Sequence, residues 1–293
     1  VTAPVFWPTL LGLSFLFIGI ITYRRDLLAS TSRGPFNFVA LGPVLVASSL
    51  AAFAGEHLTM AADVARMVPK WLPLRVFIAY LVGFALLAAA LSLVARRCIR
   101  WSAIFLAVMF VLFVLLLHLP HIGEQPAARI HWIVAVRDST FAMGALALFG
   151  TTMRGRWPQR SNILTGVVRV WMACVMIFFG MQNMLHPECS PGVPDTTLTA
   201  EWVPLPLLMA YVTGILLIAS GCLMFLRKYA SAAAALIGLL MAVLTLVIYA
   251  PNFFLAHSVL EHVIAINFVA DTLLFAGMTF VISKAIWDCE LDH

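Results

Sequence analysis

Residues 71–83 read WLPLRVFIAYLVG, and residues 202–214 read WVPLPLLMAYVTG. Trp71 and Trp202, Pro73 and Pro204, Leu74 and Leu205, Tyr80 and Tyr211, and Gly83 and Gly214 are each 131 residues apart. Pro120 and Pro251 keep that offset; Asp138 and Asp271, like Gly144 and Gly277, follow with two residues more. Upstream, Phe53-Ala54-Gly55 resembles Phe178-Phe179-Gly180. An echo sustained over this distance marks one structural unit used twice.

The surrounding sequence says what kind of unit it is. Of 293 residues, 63% are hydrophobic and 11% charged, and the mean hydropathy is +1.01. Soluble domains carry roughly 25% charged residues. Apolar runs fall at about 5–23, 38–57, 74–95, 101–119, 130–150, 162–185, 205–226, 231–250 and 258–283, each near the ~20 residues that cross a ~30 Å hydrocarbon core. Hydrocarbon leaves a backbone no partner but itself, so these runs must be helical. The expected fold is therefore all-α and polytopic, with nine transmembrane helices.

The echo divides them. Residues 1–37 hold an extra helix and a loop, 38–150 a first four-helix repeat, 162–284 a second, and 285–293 a tail. Four helices separate the copies, so both have the same sense in the membrane, as parallel repeats do. Val5 to Tyr23 is too long for a signal h-region and ends in Arg24-Arg25 without a small-residue cleavage site. It is kept as a helix, and Val at position 1 is expected to reflect processing. Pro43 should kink the second span or sit against a helix break, and Pro251 should mark a helix end.

Twelve of the eighteen basic residues fall on one side: Arg24, Arg25, Arg33, Arg96, Arg97, Arg100, Arg154, Arg156, Arg160, Arg227, Lys228 and Lys284. The positive-inside rule then places the N-terminus outside and the C-terminus in the cytoplasm. These short clusters are membrane anchors and form no groove for nucleic acid. No P-loop, dinucleotide fingerprint or zinc-finger spacing occurs, and the five cysteines contain no CxxC.

The pattern VPxWLP…Y…G at Val68 to Gly83, preceded by Gly55-Glu56-His57, resembles that of DoxX/DoxD-like membrane proteins. The resemblance covers residues 38–284 and implies two four-helix bundles fused in tandem, in a bacterial cytoplasmic (inner) membrane. Some relatives resemble the membrane subunit of thiosulfate:quinone oxidoreductase, so it also implies a redox-linked assembly with other membrane or extracytoplasmic subunits. The second copy departs from the pattern: Met181-Gln182 follow Gly180, and a histidine comes only at His186.

Polar groups supply the candidate sites. His57, His118, His121, His131, His186, His257 and His262 gather at the predicted outer ends of spans, and only His293 is cytoplasmic. Glu56, Glu124, Glu188 and Glu261 lie beside them. Imidazole with carboxylate relays protons, hydrogen-bonds a quinone head group or, with a fuller donor set, holds metal or haem. Glu56, His57, His118, His121, His186, His257, Glu261 and His262 form the candidate cofactor or quinone site; no metal is assigned. His257 and Glu261, at i and i+4, should share a helical face.

Asp138 and Asp271 fall ~14 and ~20 Å into their spans, where a lone carboxylate must be protonated, paired or wetted. Arg169 is the expected partner of one Asp, and Asn267 is expected to share the cavity of Asp271. Arg137 should point ~100° away from Asp138 around the helix, and so serve another partner or snorkel outward. These four residues, Asp138, Asp271, Arg169 and Asn267, are the candidate proton or ligand site.

Residues 58–70 place Leu58, Met60, Val64 and Met67 on one stripe, as an interfacial helix would. Residues 186–204 have four prolines and no periodicity, which suits a partner surface or a flap, with Cys189 as a free thiol. Three readings follow: a membrane subunit of a redox assembly handling quinone or protons at its outer face, an accessory subunit without its own cofactor, or a small-solute or proton-coupled transporter.

Overall fold

The computed structural model describes residues 2–28 and 36–291; Arg33, a predicted anchor, and His293 lie outside them. Among the described residues nine helices are long and apolar enough to cross a membrane. They are α1 (Ala3–Leu28), α2 (Asn37–Thr59), α3 (Arg75–Ala95), α4 (Ile99–Glu124), α5 (Arg129–Met153), α6 (Pro158–Leu185), α7 (Pro206–Phe225), α8 (Arg227–Leu255) and α9 (Val259–Glu290). The protein is an all-α polytopic membrane protein. We name its two ends by their chemistry, histidine-rich and arginine-rich.

Packing follows the echo. α2 lies on α3 as α6 lies on α7, and α4 on α5 as α8 on α9. α9 then packs on α2 as α5 packs on α6, and α5 meets α9 at the centre. Of the most apolar stretch of α2, 72% is buried, against 22% for α4. α2 is a core helix because α1 covers its remaining face. The peripheral helices keep Phe77, Phe84, Phe105 and Ile215 exposed, which is what lipid solvates and water would not.

Local geometry repeats as well. Leu74 and Leu205, the residues before α3 and α7, both take left-handed conformations, at φ 53° and 49°. A side chain there costs roughly 1–2 kcal/mol, yet both copies keep it.

α4 and α8 each pass through one π turn, Val114–His118 and Thr245–Tyr249, again 131 residues apart. The expectation that Pro251 ends a helix is therefore corrected: α8 runs on to Leu255, as α4 runs past Pro120 to Glu124. Proline lacks an N–H, and its ring clashes with the carbonyl four residues back. The wider turn moves that carbonyl aside. Pro43 opens the regular part of α2 after the 3-10 turn Asn37–Leu41, so it sits against a break.

The interfacial helix is also corrected. α2 continues to Thr59, and only one turn, Ala61–Val64, follows. Ala61 and Ala65 are the buried residues, packed on Ala79, while Met67 is exposed.

Candidate functional site

Four ionisable side chains join α4, α5 and α9 beneath the histidine-rich end. Nε2 of His118, on the π turn of α4, donates to Oδ2 of Asp138 on α5 at 2.8 Å. Nε of Arg137 donates to the other oxygen, Oδ1, at 3.1 Å. Nη1 of Arg137 reaches across to Oδ2 of Asp271 on α9 at 2.6 Å. The chain His118–Asp138–Arg137–Asp271 thus places both echoed aspartates on one guanidinium.

This overturns the expected pairing. Arg137 does not turn away from Asp138, because its long side chain folds back along the helix and its tip still spans the gap to α9. Arg169 takes no part. Its Nη1 donates to the carbonyls of Met224 and Phe225, both at 2.9 Å, at the arginine-rich end of α7. Those carbonyls have no partner within their own helix, and a cation there also meets the negative end of the helix dipole. Asn267 is not bonded to Asp271 one turn away; its Nδ2 donates to Oε2 of Glu56 at 3.1 Å.

Beneath the chain the bundle is aromatic. Phe141 lies three residues past Asp138, and Phe275 four past Asp271, ~5 and ~6 Å deeper. The Arg137 guanidinium sits 5.9 Å from the centre of the Phe141 ring. Phe141 meets Phe110 at 5.4 Å and Phe275 at 6.2 Å, and Phe275 meets Phe179 at 6.0 Å. All four rings are buried. They form a floor without hydrogen-bonding atoms between the polar chain and the arginine-rich end.

Above the chain lies the proline-rich loop, folded back as a flap. Cys189, Ser190, Pro191, Gly192 and Pro194 are buried. Asn183, wholly buried on α6, donates through Nδ2 to the Gly192 carbonyl and accepts from its N–H through Oδ1, both at 3.0 Å. Tyr249 donates to the Pro191 carbonyl at 2.7 Å. Arg129 donates to the carbonyls of Pro194 and Asp195. The Asp195 carboxylate lies near enough to add its charge to the field at Arg137 and Asp271. Cys189 is free and 3% exposed, with Nη2 of Arg129 3.3 Å from its sulfur. From sequence, Asn183 is expected only as a polar lining at the outer end of its span, and the anchors Arg129 and Tyr249 are missed; for Tyr249 the 131-residue offset, which sets it opposite His118, is the available signal.

Apart from the stacked His121 and His131, the other histidines do not converge, and among the described residues no three His, Cys, Asp or Glu side chains stand together as metal ligands would. His57 donates to the Phe53 carbonyl of its own helix at 2.8 Å, and His262 to Ser258 at 2.8 Å. His121 donates to the Leu117 carbonyl and stacks on His131, ring centres 5.4 Å apart. His186 pairs with Glu188 at 3.3 Å. Glu188 is held below the usual carboxylate range, first by its own backbone N–H and then by His186. Glu261 is a helix cap: α9 begins at Val259, Ser258 and Glu261 form a capping box, and Glu261 also accepts from the His257 N–H at 2.7 Å. His257 therefore lies before the helix and shares no helical face with Glu261, contrary to the i, i+4 expectation.

No protein-family profile matches the chain, and neither the curated proteins nor the solved structures include a significant match.

Proposed function

We propose that this chain is a membrane subunit of a redox-linked assembly, DoxX-like in plan, that exchanges protons at its histidine-rich end. That end is read as the extracytoplasmic face of a bacterial inner membrane, from the arginine bias of the other. The observation that carries the reading is the chain His118–Asp138–Arg137–Asp271, lidded by a loop and floored by phenylalanine. Ionisable groups are expensive in hydrocarbon and usually serve function there. A histidine at the mouth is the residue that changes charge near neutral pH.

The floor favours one-sided exchange over passage. A proton-coupled carrier needs polar groups or water on both sides of its site. Here four aromatic rings lie toward the arginine-rich end. Among the described residues no three His, Cys, Asp or Glu side chains group as metal ligands. A quinone carbonyl asks only for a hydrogen-bond donor, and the stacked pair of exposed His121 and half-buried His131 can offer one beside His118. Partner subunits would supply the electron donor.

The reading is tested on the purified protein in lipid nanodiscs, titrated with a short-chain ubiquinone while tryptophan emission is followed, Trp132 adjoining His131. Saturable quenching whose midpoint depends on pH is expected, with the pH dependence flattened in His118→Gln. Quenching that never saturates, or a variant with the wild-type pH profile, overturns it. A proton flux into protein-bearing liposomes under an imposed potential would instead establish transport.

A further inference from the structure

Glu56 is buried at 7% exposure in the last turns of α2, and among the described residues no cation pairs with it. Its Oε2 accepts from the neutral amide of Asn267, and its Oε1 is buried without a hydrogen-bond partner. Asp271, one turn beyond Asn267 on α9, is the charged group whose field reaches it. The neighbouring His57 turns back on its own helix carbonyl. Counting charges, the single guanidinium of Arg137 is already shared by Asp138 and Asp271, and among the described residues no further cation is left to balance Glu56.

An ionised carboxylate so placed would face a neutral amide on one oxygen, nothing on the other, and a second carboxylate nearby. In a low-dielectric interior that arrangement costs several kcal/mol. A proton removes the charge and turns the orphaned oxygen into a hydroxyl donor.

We propose that Glu56 is the proton-holding group of this site: a neutral carboxylic acid at rest, whose proton leaves to, and returns from, water at the histidine-rich end. This rests on the reading of the His118–Asp271 chain as a proton-exchanging site. When His118 takes up a proton, release of one from Glu56 leaves the net charge of the cluster unchanged. No bond other than O–H and N–H is made or broken, and no electron moves. The chain and Glu56 then act as a pair that exchanges protons at constant charge, which a buried aromatic floor tolerates better than net charging.

Infrared spectroscopy of the protein in liposomes tests this without a redox partner. The wild type at neutral pH should show a protonated-carboxyl C=O stretch that shifts in heavy water. Glu56→Gln, isosteric and able to keep the Asn267 contact, should lose that band completely, and Glu56→Asp should restore it at a shifted frequency. Because a variant can misfold, wild-type protein carrying carboxyl-labelled 13C-glutamate gives a second reading: the band must move. No acid band at neutral pH, a band that persists in Glu56→Gln, or a band indifferent to glutamate labelling each overturns the assignment. Quinone titration and this band fail separately: a protein that binds quinone without the band refutes only Glu56, and the reverse refutes only the quinone site.

Discussion

His118 and Tyr249 occupy the same place in two copies of one joint, the last residue of a π turn that precedes a proline. In the first copy the side chain turns inward to Asp138; in the second it ties down the flap through Pro191. The aspartates have equivalent places too, yet Arg137 has Ala270 as its counterpart, so one cation serves both. Equivalent glycines are likewise reassigned. Gly55 seats α2 on α1, where a Cβ would meet Pro8 at 2.7 Å, while Gly180 seats α6 on α7, where it would meet the Gly214 carbonyl at 2.7 Å. The backbone joints recur at the 131-residue offset, while the side chains on them differ, one serving the site and the other the lid.

The largest test removes the shared cation. Arg137→Leu takes the guanidinium from two buried carboxylates, leaving Asp138 only its bond from His118, and should destabilise the protein by about 3–5 kcal/mol, read as a lowered unfolding midpoint in detergent. Wild-type stability would mean that the joints are independent. Next come the aspartates, each charged hydrogen bond being worth about 1.5–3 kcal/mol. Asp138→Asn disturbs two such contacts and Asp271→Asn one, so the first should unfold at the lower denaturant concentration; equal losses would erase the asymmetry.

Gly180→Ala overpacks a backbone contact and should cost about 1–3 kcal/mol, measured by the same unfolding assay. Gly55→Ala should cost a similar amount by unseating α1. If Gly55→Ala were neutral, the extra helix would not depend on that contact. The smallest effect belongs to the lid. Tyr249→Phe loses one hydrogen bond, averaging about 0.6 kcal/mol in membrane proteins. It should leave stability nearly unchanged while raising the labelling rate of Cys189 by a membrane-impermeant maleimide. Labelling no faster than in the wild type would show that Tyr249 does not hold the flap.

Much of this molecule was legible in its residues. Hydrocarbon permits a continuous apolar run only one backbone structure, so nine runs gave nine helices, and the 131-residue echo located joints that recur in space. Asp138 and Asp271 drew attention for the same reason, as charges where charge is costly. Their partner was not legible. Angular position on an ideal helix sent Arg137 away from Asp138 and favoured Arg169, because such reasoning fixes the Cβ direction and leaves out a flexible side chain several bonds long. The histidines looked like one cluster because depth along a span is readable from sequence, whereas lateral distance between helices is not.

Residue chemistry and spacing were enough to establish that the chain is helical, membrane-embedded, marked by a 131-residue echo and charged at two deep positions. All of these follow from the solvent around each segment and from local spacing. Tertiary packing was needed to show that Arg137 joins both aspartates, that among the described residues Glu56 stands without a cation, that phenylalanines close the floor and that the proline-rich loop closes the lid. Those outcomes depend on which helix faces which, and packing between helices is a property of the whole bundle that no single stretch of residues carries.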